Sequence, residues 1–361
     1  MSGIAYQNIG VFADHLLPNF LERLAKKKIE TDFTFQSYPM VEWMFRNHTL
    51  KLRGGQSLEF RSQRGTSGQA IKMRPYQPIP RNYANRVSKG SAPWGAIAKS
   101  AAWNERLANH FTEGEKLTEY MDNQFLDCLK GTLDRLETST FEVPESSADD
   151  MPFMGIPYLL PKLGVGVEDP VGGFNGQTAV LGDASTTTVI QGTDRSIVTQ
   201  ARTFVATHNG VNSAYLDTLR RCQNRTNYKP PRELKQYAET EAGDFRYLTN
   251  QLDAEMYESL VNKGPDDRNG DANPFYGVLT YRGMMWMPVP ALDGKADSPG
   301  YGWNFKKLFP FAHQKYWMKW SEAIREPNDD ESYYKRIDCE YQFACINEQQ
   351  AGWCMHSVRA A

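Results

Sequence analysis

The sequence predicts an α+β fold, on three observations. One long amphipathic helix begins near residue 112, several segments alternate in the manner of strands, and the connections between them are rich in Gly, Pro and Thr. A chain of 361 residues exceeds what one hydrophobic core usually covers, so two packed modules with extensions are expected.

The helix spans Thr112 to Glu137. Thr112 and Glu115 have capping-box spacing, in which each side chain satisfies a backbone N–H of the first turn. Leu117, Met121, Phe125, Leu129, Leu133 and Leu136 recur at helical intervals, with acids on the opposite face. Gly131 is the weak point inside it, costing up to about 1 kcal/mol against Ala.

Residues 50–103 read as a long hairpin. Leu50 and Leu52 precede a turn at Gly54-Gly55, Leu58 and Phe60 alternate beyond it, and Trp94 to Trp103 supplies a returning strand. The intervening stretch, 62–92, holds too few large apolar residues to pack a core and carries Pro75, Pro78 and Pro80. A projecting loop of that length is usually functional or bound to a partner. Residues 1–50 show loose helical spacing from Val11 to Lys28, broken by Pro18, and read as an arm that must dock on something.

Beyond the helix, Phe141 to Gly210 predicts irregular connections with short strands. Val211–Arg225 and Phe245–Val261 have helical spacing, Val278–Val289 reads as strands around Gly283, and Ile337 to Cys345 alternates as a half-buried strand.

Charge is unevenly placed. The whole chain carries a formal charge of -2, yet residues 51–100 hold ten basic side chains against the single acid Glu59. A basic segment beside an acidic remainder predicts attraction between copies of the chain, or to another polyanion. Five cysteines with no CxxC indicate neither a disulfide framework nor a zinc site, and buried thiols are expected. No apolar stretch reaches the roughly 20 residues of a membrane helix, and no secretory leader pattern opens the chain, so cytoplasmic folding is expected.

Catalytic patterns fail in turn. There is no GxSxG elbow and no HExxH helix, and His15, His48, His110, His208, His313 and His356 lack ligand spacing. Gly164-Val165-Gly166 continues with Val167-Glu168-Asp169 where a dinucleotide loop needs glycine. Asp266 to Asp271 resembles a calcium loop but lacks the closing glutamate. The reading is no enzyme, no metal and no cofactor.

The order of parts then carries the argument. An arm, a basic projecting hairpin, one long helix and a Gly/Pro-rich α/β region closing on strands resemble the major capsid proteins of tailed bacteriophages, with the Hong-Kong-97-type fold. Local stretches add to it: Leu52-Arg53-Gly54-Gly55, Trp94-Gly95-Ala96-Ile97-Ala98, Gly155-Ile156-Pro157, Gly172-Gly173-Phe174-Asn175-Gly176, and Tyr281-Arg282-Gly283 through Val289-Pro290. The resemblance covers nearly the whole chain and implies five parts. These are an N-terminal arm (1–50), an E-loop hairpin with flanking strands (51–103), a P-domain spine helix (104–141), an A-domain with central helices (142–300), and return strands to the P-domain (301–361) whose tail can rejoin the A-domain.

It further implies self-assembly into hexamers and pentamers of an icosahedral virion capsid, by way of a procapsid built in the host cytoplasm. The implied partners are a portal, packaged double-stranded DNA, in some members a decoration protein, and no membrane. Fold-like sequence begins near residue 1, so a separate scaffolding protein is expected rather than a fused one. Lys72 and Lys89 are loop lysines with no catalytic acid assigned to them, so no covalent cross-link is expected. Arg61, Arg64, Lys72, Arg74, Arg81 and Arg86 are the expected contacts of the E-loop, meeting Glu119, Asp122, Asp127 and Asp134 on the exposed face of a neighbour's helix. An encapsulin-like shell enclosing protein cargo is the alternative, and a hydrolase with an unrecognised acid pair the third reading.

Overall fold

The computed structural model describes residues 38–41, 50–63, 87–104, 114–149, 151–163, 172–228, 245–262, 279–326 and 331–357. Outside these fall most of the expected arm, the hairpin tip with Arg64, Lys72, Arg74, Arg81 and Arg86, the Gly164 stretch, and the Asp266–Asp271 loop.

Among the described residues the strands begin with β1 (Lys51–Arg53), β2 (Ser57–Gln63), β3 (Val87–Pro93) and β4 (Gly95–Asn104), with helix α1 (Gly114–Thr140) next. A short helical turn at Ile156–Leu159 leads to β5 (Gly173–Gly176) and four two-residue strands, β6 (Ala179–Val180), β7 (Thr186–Thr187), β8 (Val189–Ile190) and β9 (Thr193–Asp194). Then come β10 (Thr203–His208), α2 (Ser213–Arg225), β11 (Phe245–Thr249), α3 (Gln251–Asn262), β12 (Thr280–Tyr281), β13 (Met284–Pro288) and β14 (Gly300–Asn304). The chain returns through β15 (Leu308–His313), β16 (Lys319–Trp320), β17 (Ile324–Arg325) and β18 (Ser332–Cys345), and β19 (Gly352–Ser357) closes it.

Two large sheets organise thirteen of these strands, and the two-stranded ribbons β2-β3, β6-β7 and β8-β9 hold the rest. In the six-stranded sheet the order is β1-β15-β18-β16, and the 14-residue β18 also pairs with β4 and β17. The seven-stranded sheet runs β12-β13-β11-β14-β19-β10-β5. Within it β11 and β13 are parallel, joined by the crossover helix α3, and β10 is parallel to β19.

α1 spans roughly 40 Å and lies against β4 and β18, where Phe125 meets Trp103 and Trp320 edge-on. It runs on past Glu137 because the poor helix formers there are satisfied locally. The hydroxyls of Thr138, Ser139 and Thr140 donate to the carbonyls of Asp134, Arg135 and Leu136. Gly131 also has a reason: a Cβ there would meet the stem of Lys99, which crosses the helix to reach Asp127.

The helix expected from Phe245 to Val261 is a correction. Phe245–Thr249 is a strand and only Gln251–Asn262 is helical. Phe245, Tyr247, Leu248 and Thr249 are buried in the middle of the sheet, and a strand with both faces covered shows no alternation. The boundary is set by Asn250, whose side chain accepts the Asp253 N–H at 2.7 Å as a helix cap. The strand pair around Gly283 does form, through a tight turn in which Arg282 and Gly283 both have positive φ, 51° and 78°.

The largest apolar cluster lies between the sheets, joining Tyr301 and Trp303 of the seven-stranded sheet to Leu308, Tyr341 and Phe343 of the other. A second fills the opposite face of the seven-stranded sheet under α2 and α3. All five cysteines are buried free thiols, and burial raises Cys128 and Cys339 to about 11. No helix among the described residues is long and apolar enough to cross a membrane.

Candidate assembly interface

The β2–β3 hairpin pairs Ser57–Gln63 with Val87–Pro93 in an unbroken antiparallel register. Its base is rigidly built. Leu58 and Phe60 turn inward with Trp94, Phe309, Phe311 and Ala344, while Glu59 and Arg61 face out. Gly90 is required by close approach, since a Cβ there would stand 2.5 Å from the Phe60 ring. Trp94 donates its indole N–H to the Gly55 carbonyl at 2.9 Å, and the Ser91 N–H reaches the Gln191 carbonyl in the β8–β9 turn. Gln191 in turn binds β18, donating to the Phe343 carbonyl and accepting the Cys345 N–H.

The described basic residues of 51–100 divide into two sets. Lys51 and Arg53 lie over the rings of Phe309 and Phe311, Arg53 also donates to the Glu59 carbonyl, and Lys99 pairs with Asp127 at 3.0 Å. These three are engaged within their own chain. Arg61 and Lys89 differ: they are exposed and directly opposite each other in the register. Like charges across a strand pair are destabilising, and an acidic surface laid against them would relieve this.

Of the four expected acids on α1, Asp134 and Asp127 are exposed, and Asp127 already holds Lys99 of its own chain. Glu119 lies in the second turn of the helix. Asp122 is a correction: only 8% of it is exposed, so it does not belong to an outward acidic face. The buried stripe of α1 is wider than the leucine spacing suggests and takes in Met121, Asp122, Phe125 and Cys128 together.

Sequence reasoning missed Glu137. Its buried carboxylate accepts the backbone N–H groups of Met40 and Val41 at 3.1 and 3.0 Å, and so fastens residues 38–41 of the expected arm to the end of α1. A signal was present, because Glu137 follows Leu129 and Leu133 at four-residue spacing and sits on the apolar stripe. Burial pushes Glu137 up to about 7, with the Asp134 carboxylate adding to it and the two N–H bonds opposing it. The folded chain therefore binds this proton more tightly than the unfolded chain. Stability from the group is complete below about pH 4.5 and is lost as pH rises through about 7. Glu137→Gln keeps an acceptor and removes the titration, so its melting temperature relative to wild type should rise between about pH 5 and about pH 8. A difference that stays constant with pH would show that the carboxyl titrates as it does in the unfolded chain.

Among the described residues no three His, Cys, Asp or Glu side chains come together as a metal site needs. Burial lowers His208 to about 4, so it stays neutral in a pocket shared with Tyr215.

No family model matches the chain, and no curated protein matches its sequence. Solved structures do match its shape. The capsid protein of cyanophage A-1(L) superposes with a TM-score of 0.60 at 10% identity, over 91% of this chain and 95% of that one. The native GTA particle capsid gives 0.53 at 8% identity, over 92% and 94%, and the mature capsid of bacteriophage PhiM1 gives 0.51 at 8%, over 93% and 91%. The chain has the Hong-Kong-97-type capsid fold. In the assignment that the sequence resemblance implies, the β2–β3 hairpin corresponds to the E-loop, α1 to the spine helix and the seven-stranded sheet with α2 and α3 to the A-domain.

Proposed function

We propose that this chain is the shell subunit of an icosahedral capsid, assembling as hexamers and pentamers around the double-stranded DNA of a tailed phage. It acts as a structural protein and not as an enzyme, and it works with a separate scaffolding protein and a portal. The observation that carries the reading is the E-loop: a rigid two-stranded stem on a capsid fold, with the like-charged pair Arg61 and Lys89 facing outward and a tip sequence too polar to form a core. Such a loop is stabilised by lying on an acidic neighbour. Each exposed ion pair contributes only about 0–1 kcal/mol, so the lattice is held by many shallow contacts acting together.

The test changes Arg64, Lys72, Arg74 and Arg81 to Ser. Wild-type protein should form closed particles by electron microscopy, and these should loosen as salt rises, because exposed pairs are screened over about 8–10 Å. The four-site variant should keep wild-type helix content yet assemble poorly. Normal, salt-resistant particles from the variant would rule out the bridging loop, and a wild-type chain that stays monomeric would rule out the shell.

A further inference from the structure

The outer layer of the A-domain carries two helices of opposite character. Both α2 and α3 cover the same face of the seven-stranded sheet, through Tyr215, Leu219 and Cys222 from α2 and Tyr257 from α3, over Phe245, Tyr247, Trp286 and Trp353. Tyr257 stacks on Trp286 of β13, while α2 packs toward β10, so the two helices lean to opposite sides of the layer.

On its outward side α2 exposes Arg220, Arg221 and Arg225. Arg220 pairs with Asp217 one turn away at 2.9 Å, whereas Arg221 and Arg225 have no acidic partner among the described residues. On α3 the outward side exposes Leu252 and Met256, 53% and 43% accessible and one helical turn apart, with Glu255 and Glu258 beside them. Glu255 accepts a bond from Gln251 on its own helix, and neither acid meets an arginine within the described chain.

We propose that the Leu252–Met256 face of α3 docks on Arg221 and Arg225 of α2 in a second copy of the chain. The chemistry of the two faces is complementary. An arginine has an apolar stem long enough to cover leucine and methionine while its guanidinium reaches a carboxylate beyond them. Glu255 and Glu258 beside the apolar pair disfavour nucleic acid on that surface, and the unmatched arginines supply the opposite charge. Each copy presents both patches toward opposite edges of the same sheet face, that of α3 over β13 and that of α2 over β10. The contact is therefore heterologous: copies join head to tail, and a rotation that closes makes a ring. The proposal rests on the shell reading and names the surfaces that join A-domains within each ring.

Charge exchange tests it. Arg221→Glu with Arg225→Glu should raise the protein concentration needed for assembly roughly tenfold, measured by light scattering, and Glu255→Arg with Glu258→Arg should do the same. Combining all four restores complementarity between identical copies, so the combined variant should assemble within about twofold of wild type, and it should sort away from wild type in mixtures. Glu255→Gln with Glu258→Gln removes charge without reversing it and should give a smaller shift in the same direction, which guards against a folding defect in a reversal variant. Single-side variants that assemble as wild type does would overturn the contact alone, as would a combined variant with native helix content that stays as defective as its parents. A monomeric wild-type chain would overturn the contact and the shell reading together.

Discussion

Leu126→Pro is expected to abolish assembly by breaking the spine helix at its centre. The substitution removes the backbone hydrogen bond from residue 126 to the Asp122 carbonyl and drives the proline ring against that same carbonyl, costing about 3 kcal/mol or more. The damage spreads, because Leu126 packs against the cluster of Trp103, Met121, Phe125, Cys128 and Ile337 that joins α1 to β4 and β18. A kink there withdraws Phe125 from its edge-on contacts with Trp103 and Trp320. Against a total stability of about 5–15 kcal/mol, this is enough to leave the layer of α1 and the six-stranded sheet unformed in much of the population. The measurements are soluble yield, helical circular dichroism and particle size. Soluble particles of normal size would show that this helix does not organise the six-stranded sheet.

That α1 could be read from the sequence, and that other parts could not, has a physical basis. The leucine and phenylalanine spacing of α1 persists from Leu117 to Leu136, over about five turns, so no alternative period competes with it. β18 was legible for the same reason, since Ile337, Cys339, Tyr341 and Phe343 are buried at every second position, although Gln342 and Ala344 between them are buried as well. The E-loop stem showed itself by contrast, with Leu58, Phe60 and Trp94 flanking a stretch that has almost nothing to bury. Phe245–Thr249 misled because Phe245, Leu248, Leu252 and Met256 mimic one helical stripe while belonging to two elements. The Asn250 cap, which separates them, is a single residue.

The candidate interface was legible in charge but not in placement. Composition shows that residues 51–100 are basic; only the register shows that Arg61 opposes Lys89 and that Lys99 is taken up by Asp127. Asp122 and Glu137 lie within a heptad or so of correctly read residues, yet their burial depends on partners far along the chain. Glu137 meets the backbone of Met40 and Val41. Gln342 is of the same kind: fully buried, it donates to the carbonyls of Pro93 and Pro152 and accepts the Met154 N–H. A polar residue that serves as a clamp between distant segments leaves no local pattern.

Trp303→Ala should be the most damaging single truncation between the two sheets. Trp303 sits on β14 of the seven-stranded sheet with no exposed surface, stacks on Phe305 at 4.3 Å, and meets Phe343 of β18 edge-on at 5.4 Å. Its indole N–H donates to the Leu308 carbonyl at 2.6 Å, at the start of β15 in the six-stranded sheet. One side chain thus packs and bonds across the junction. Removing a buried tryptophan costs about 3–5 kcal/mol, since neighbours held by two sheets cannot collapse into the space. Trp303→Phe keeps an aromatic ring in place but loses the hydrogen bond and the volume of the second ring, so it should cost less than the alanine variant, about 2 kcal/mol. Both variants are read by denaturant unfolding of the unassembled chain. The alanine variant should also lose cooperativity, with limited proteolysis cutting the connection between β14 and β15 before the sheets themselves unfold. An alanine cost below about 1 kcal/mol would mean that Tyr301, Leu308 and Tyr341 couple the sheets without it, and that the junction is free to hinge there.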